Sequence, residues 1–273
     1  VVSVYCVPSR YARLPRDSPS QIYARFVTVS LTSVLCVLRL IWLLDCVPHQ
    51  KGLGLSAALI ALLLTSILYL GQIICSVLNF LNEARITTPQ KVFYRNLRQS
   101  WLLLRQDRAI YIRNLLIGPI TEEIVFRGCV LPLLFSAQIS KLHAILLSPL
   151  VFGVAHLHHL KRRLDEGAPI LSALATSLFQ FAYTTLFGIY TAFLFARTGH
   201  LLSAIAAHIF CNYMGLPDFD FFSPHGPLYK VRFFILAMYI FGIVAFFRLL
   251  FSCTTTPSTF FIIPTTEEDV VVR

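Results

Sequence analysis

Residues 170–196, ILSALATSLFQFAYTTLFGIYTAFLFA, contain no Lys, Arg, Asp or Glu. A helix needs ~20 predominantly apolar residues to cross hydrocarbon, and this stretch exceeds that length. The same composition recurs on both sides of it. Leu53–Leu81, Leu142–Leu160 and Thr198–Pro217 are also free of these four residue types. Phe26–Leu44 carries only Arg39, Phe233–Cys253 only Arg248, and Asn114–Ser140 only Glu122, Glu123 and Arg127. The opening residues VVSVYCV read as the tail of one more apolar segment, so a further span is expected upstream of Val1. The fold class expected is all-α, a polytopic integral membrane bundle of about seven to eight transmembrane helices with a truncated N-terminal helix. Residues 1–253 are expected to form a single transmembrane catalytic domain, followed by a polar tail over 254–273.

The composition agrees. Of 273 residues, 56% are hydrophobic and 13% charged, about half the ~25% charge of an average soluble domain. Mean hydropathy is +0.71. This excludes an ordinary soluble enzyme. Net charge is +10, but the basic residues cluster between long uncharged runs, a pattern that suits a membrane surface and not nucleic acid. Seven cysteines cannot all pair. Cys36, Cys75, Cys129 and Cys211 lie in apolar runs and read as small buried hydrophobes.

Loop charge sets an orientation, because Lys and Arg accumulate on the cytoplasmic side of short loops. Between Arg10 and Arg25 there are four Arg against Asp17, and between Asn82 and Arg113 seven Lys and Arg against Glu83 and Asp107. These segments flank a two-span hairpin whose connecting loop balances Asp45 with Lys51. Both basic segments are therefore placed in the cytosol, and continued alternation puts Lys161, Arg162 and Arg163 there too.

Ionisable groups inside a span are costly and are functional candidates by default. Three clusters stand out, each in a different span: GPITEEIVFRG with Glu122, Glu123 and Arg127, FGVAHLHH with His156, His158 and His159, and HIFCN with His208, Cys211 and Asn212. Glu123 and Arg127 are four apart and can pair on one helix face. Glu122, turned ~100° from Glu123, is the carboxylate left for chemistry. His208 and Asn212 also share a face and can aim donors at one atom, as amide hydrolysis needs for a developing oxyanion. The plain alternatives are a structural ion-pair network and polar contacts between helices, as in a transporter or scaffold. Two histidines and a carboxylate, His156, His208 and Glu122, also make a legitimate zinc set, although no H-E-x-x-H helix is present. G-x-S-x-G is missing as well. Cys211 is the rival nucleophile, but it points ~100° away from Asn212 on a helix.

Taken in order, the EExxxR of Glu122–Arg127, the FxxxH of Phe152–His156 and the HxxxN of His208–Asn212 resemble the signature of the type II CAAX prenyl endoproteases. The strings PITEEIVFR, FGVAHLHH, FGIYTAFLFARTGHL, CNYMG and LPRDSP are similar to the eukaryotic, Ras-converting branch. The likeness runs from about Leu14 to Gly215. It implies a multi-pass protein of the endoplasmic reticulum membrane, with its active site open to the cytosol. Its implied activity is to remove the last three residues of CAAX proteins after their cysteine is farnesylated or geranylgeranylated. The implied partners are prenylated substrates such as Ras- and Rho-type small GTPases and the lipid bilayer, with no nucleic acid, no cofactor and no metal. The resemblance also implies roles: Glu122 as general base for a water, His156 holding that water, His208 and Asn212 at the oxyanion, and Glu123 with Arg127 ordering the site. A metal-dependent intramembrane protease using the same Glu and His residues is the alternative.

Overall fold

The computed structural model describes residues 18–44, 54–155 and 158–254. Among the described residues every regular element is helical. In chain order these are α1 (Pro19–Leu44), α2 (Leu55–Leu68), α3 (Leu70–Ile86), α4 (Pro89–Gln106), α5 (Arg108–Ile112), α6 (Gly118–Glu123) and α7 (Leu131–Ser136). They are followed by α8 (Lys141–Ala155), α9 (His158–Asp165), α10 (Ile170–Thr198), α11 (Leu201–Met214) and α12 (Arg232–Cys253). Two π-helical segments, Arg113–Ile117 and Ile124–Val130, join α5 to α6 and α6 to α7.

Among the described residues three helices are long and apolar enough to cross a membrane: Ser20–Leu38, Ile170–Thr198 and Tyr229–Cys253. The uncharged run Leu53–Leu81 forms α2 and α3, bent by 71°, which makes a fourth if the pair counts as one span. Further apolar helices, among them Leu201–Met214, are shorter. The result is a polytopic helical membrane protein. The segment Asn114–Ser140, expected as one span, is helical without a gap from Asn114 to Ser136, its α turns interrupted by the two π segments. The connection between α1 and α2 and the tail beyond Thr254 lie outside the described residues.

The described residues gather into two compact units, 18–34 with 58–122 and 205–253, and 35–44 and 54–57 with 123–155 and 158–204. In the first, α12 lies against α3. Gly71 faces the Tyr239 ring so closely that an added Cβ would sit 2.2 Å from it, and Gly242 likewise faces the Ile67 carbonyl at 2.5 Å. Removing Cβ at these positions lets side chain and backbone meet where α2 and α3 bend at Tyr69. Phe221, Leu228, Ile235 and Tyr239 form the adjoining buried cluster.

In the second unit, α10 packs on α8 through the same device. A Cβ at Gly153 would meet the Thr185 hydroxyl at 2.5 Å, and one at Gly188 would meet Pro149 at 2.7 Å. The core comprises Leu131 of α7, Ala144 and Ile145 of α8, and Ala192, Phe195 and Ala196 of α10, the last three at helical spacing. Gly199, left-handed at φ 68°, ends α10 and donates its amide to the Phe195 carbonyl.

Candidate active site

The motif GPITEE begins where a π turn ends. The Gly118 amide donates to the Arg113 carbonyl, five residues back. That turn brings the carbonyl so near that a Cβ at Gly118 would lie 2.9 Å from its oxygen. Pro119 has no N–H to offer. The two amides that would ordinarily serve the Asn114 carbonyl, those of residues 118 and 119, are thus diverted or missing. Asn212 of α11 supplies the donor instead, its side-chain Nδ2 giving a hydrogen bond to the Asn114 carbonyl at 2.9 Å. Both residues are exposed, and the bond gives this carbonyl the partner that its own helix does not supply. Thr121 does similar work one turn on, donating to the carbonyls of Ile117 and Gly118.

The same region places Glu122 beside His208. Glu122 Oε2 lies 3.8 Å from His208 Nε2, with the histidine 6% exposed and the carboxylate 38% exposed. His208 and Asn212, four apart on α11, do share a face, and both meet the chain around α6. The end of α11 is held at two further points: Gln72 Nε2 donates to the Met214 carbonyl at 2.7 Å, and the Tyr69 hydroxyl donates to the Gly215 carbonyl at 3.1 Å. Tyr69 also sets its ring edge-on to Phe210. The bend between α2 and α3 thus closes the end of α11 as a cap does, serving carbonyls that the helix cannot.

Glu123 and Arg127 form the expected pair, Arg127 Nη1 donating to Glu123 Oε1 at 3.1 Å with both side chains buried. The pairing survives although Arg127 lies in the second π segment. Arg127 Nη2 adds a bond of 3.0 Å to the carbonyl of Gly188 on α10. Gly188 is read directly from this contact, since its Cβ would come within 3.2 Å of the same nitrogen. His156 lies outside the described residues. Among the described residues no group of three or more His, Cys, Asp and Glu could hold a metal ion.

The family model described as type II CAAX prenyl endopeptidase, Rce1-like, matches residues 105–214. The human protein named CAAX prenyl protease 2 is 36% identical over 266 residues, covering 93% of this chain and 78% of its own. The Arabidopsis thaliana protein of that name is 35% identical over 71% of this chain and 62% of its own. The fission yeast protein named probable CAAX prenyl protease 2 is 35% identical over 80% and 77%. The chain belongs to the type II CAAX prenyl endopeptidase family. It is a CAAX endopeptidase, a hydrolase built into a membrane. No solved structure matches it.

The stretch matched by the family model contains every candidate residue, from Glu122 to Asn212. Two participants were not singled out from the sequence of this family member. The Asn114 carbonyl left a trace in Pro119, five residues on, which removes a π-turn donor. The Gly188 carbonyl left one too, as a lone glycine among the bulky residues of FGIY, the mark of a close backbone approach.

Proposed function

We propose that this chain removes the C-terminal aaX tripeptide from farnesylated or geranylgeranylated CAAX proteins, using a water activated by Glu122. The observation that carries the reading is the approach of Glu122 to the buried His208 at 3.8 Å. That separation is too long for a direct hydrogen bond but suits a water touching both groups. In the proposed reaction the water oxygen bonds to the carbonyl carbon of the prenylcysteine while Glu122 takes a water proton. His208 and Asn212 donate hydrogen bonds to the resulting oxyanion. An amide nitrogen carries two hydrogens, so Asn212 keeps one for this task while the other serves Asn114. The C–N bond then breaks, and the proton on Glu122 passes to the leaving amine.

His156 is assigned to hold the water, on the strength of the FxxxH motif alone. Glu123 and Arg127 are assigned to fix the stretch next to Glu122 in the chain, since their mutual pairing leaves Glu122 as the uncommitted carboxylate. Residues 1–253 act as one catalytic domain in this reading, and 254–273 as a tail. The protein resides in the endoplasmic reticulum, its site opens to the cytosol, and its substrates include Ras- and Rho-type small GTPases. The test is cleavage of a farnesylated CAAX peptide by the purified chain, with and without a strong chelator. Release of the tripeptide in both conditions supports the reading. Loss of activity on chelation, restored by zinc, would favour the metal-dependent alternative.

A further inference from the structure

Among the described residues, helix α4 is the one long helix whose composition fits neither a span nor a core. It holds Lys91, Arg95, Arg98 and Arg105 with no acidic residue, and charges at these intervals are costly in hydrocarbon. Its faces are nonetheless sorted. Phe93, Leu97 and Trp101, spaced by four, form one apolar stripe, and each is more than half exposed. Lys91, Arg98 and Arg105, spaced by seven, form a basic stripe ~100° round the helix, and all three are exposed. Tyr94 falls between the two stripes and is 68% exposed. Val92, turned ~140° from the apolar stripe, is buried. The fourth basic residue, Arg95, is taken by an ion pair with Glu83 of α3. Arg105 lays its guanidinium over the Trp101 ring, 5.2 Å from the centroid.

We infer that α4 is an interfacial helix, whose aromatic stripe lies in the boundary between headgroups and acyl chains and whose basic stripe binds anionic lipid headgroups. Three features select this occupant. An aromatic face edged by a tyrosine and flanked by Lys and Arg matches the polarity of a membrane surface from hydrocarbon to phosphate. The charge on the flank is of one sign and opposite to that of anionic lipids. The helix is also continuous with lipid-exposed structure. It follows α3, part of the bent candidate span, after only two residues, so it starts within reach of the same bilayer. The pair Arg95–Glu83 ties its first turns to α3. Its other end passes through Asp107 into α5 and the π segment bearing Asn114. The inference is independent of the catalytic assignments.

The chain has two tryptophans, so Trp42→Phe leaves Trp101 as the sole reporter. The full chain carrying W42F is reconstituted in phosphatidylcholine vesicles with and without phosphatidylserine, and Trp101 emission is quenched by acrylamide from water or by nitroxides at shallow and deep lipid positions. The expected result is strongest quenching by the shallow nitroxide, corresponding to burial about 5–10 Å into the headgroup and acyl boundary, and deeper seating when phosphatidylserine is present. Replacing the basic stripe by Lys91→Gln, Arg98→Gln and Arg105→Gln, which leaves Val92 and Arg95 intact, should abolish the phosphatidylserine effect. Strongest quenching by the deep nitroxide would overturn the inference, as would full access to acrylamide. Shielding from both acrylamide and lipid nitroxides would overturn it too, showing that protein covers the stripe. Equal depth with and without phosphatidylserine would overturn the headgroup assignment.

Discussion

Asn212 shows how much depends on single atoms in this site. Its donor is called for by a carbonyl that lacks an amide partner because the Gly118 amide goes to Arg113 and residue 119 is proline. Pro119→Ala restores an N–H one π turn from the Asn114 carbonyl and gives it a backbone donor in competition with Asn212. The expected outcome is a several-fold fall in kcat with KM little changed, because the proposed mechanism has Asn212 act in the transition state alone. A matching chain with lactic acid at 119, introduced by suppressor tRNA in cell-free translation into microsomes, has the alanine side chain without the N–H and should recover turnover. Equal activity of the two would show that the proline acts through its ring alone. Cys211 makes the opposite case. It is partly buried, sits next to Asn212 in sequence, and has no task in a mechanism that uses water. Cys211→Ala should keep most of the proteolytic activity, and an acyl-enzyme trapped on that thiol would refute the glutamate assignment.

Among the elements, the clearest contrast is between the two ends of the EExxxR motif. Glu122 is partly exposed beside His208, whereas Glu123 and Arg127 are fully enclosed and bonded to each other and to the Gly188 carbonyl. Removing one partner of a buried pair leaves the other charge uncompensated, at a cost of about 3–5 kcal/mol. Glu123→Ala should therefore lower Tm and the yield of folded protein in detergent, while Glu122→Ala leaves both near wild type. The i, i+4 spacing made the Glu123–Arg127 pair legible in sequence, and the pairing holds even where the helix widens. The widening was not legible. A π turn at Arg113–Ile117 rests on Gly118 tolerating a carbonyl 2.9 Å from its Cβ position, and hydropathy carries no trace of that. The bend at Tyr69 was hidden for a related reason. It depends on Gly71 and Gly242 admitting contacts between α12 and the bent pair, far apart in the chain, while a count of apolar residues sees only one long run.

For the molecule as a whole, the runs with at most one charge located the long helices well. Ile170–Ala196 lies within α10, Phe233–Cys253 within α12, and Phe26–Leu44 within α1. Length alone could not tell which shorter runs break, because breaks follow from proline, glycine and partner side chains. The orientation proposed from the basic loops has its own test. Single cysteines at Arg98 and Lys161, in a chain otherwise lacking cysteine, are expected to react with an impermeant reagent added outside sealed microsomes. Protection of both would reverse the orientation and place the site on the wrong side for cytosolic substrates. The central claim concerns Glu122 and is most directly tested by turnover of a farnesylated CAAX peptide by purified wild-type and Glu122→Ala proteins, each checked for folding. The account predicts release of the aaX tripeptide by the wild type, unaffected by chelator, and none above background by the folded variant. Near-normal turnover by Glu122→Ala would contradict it.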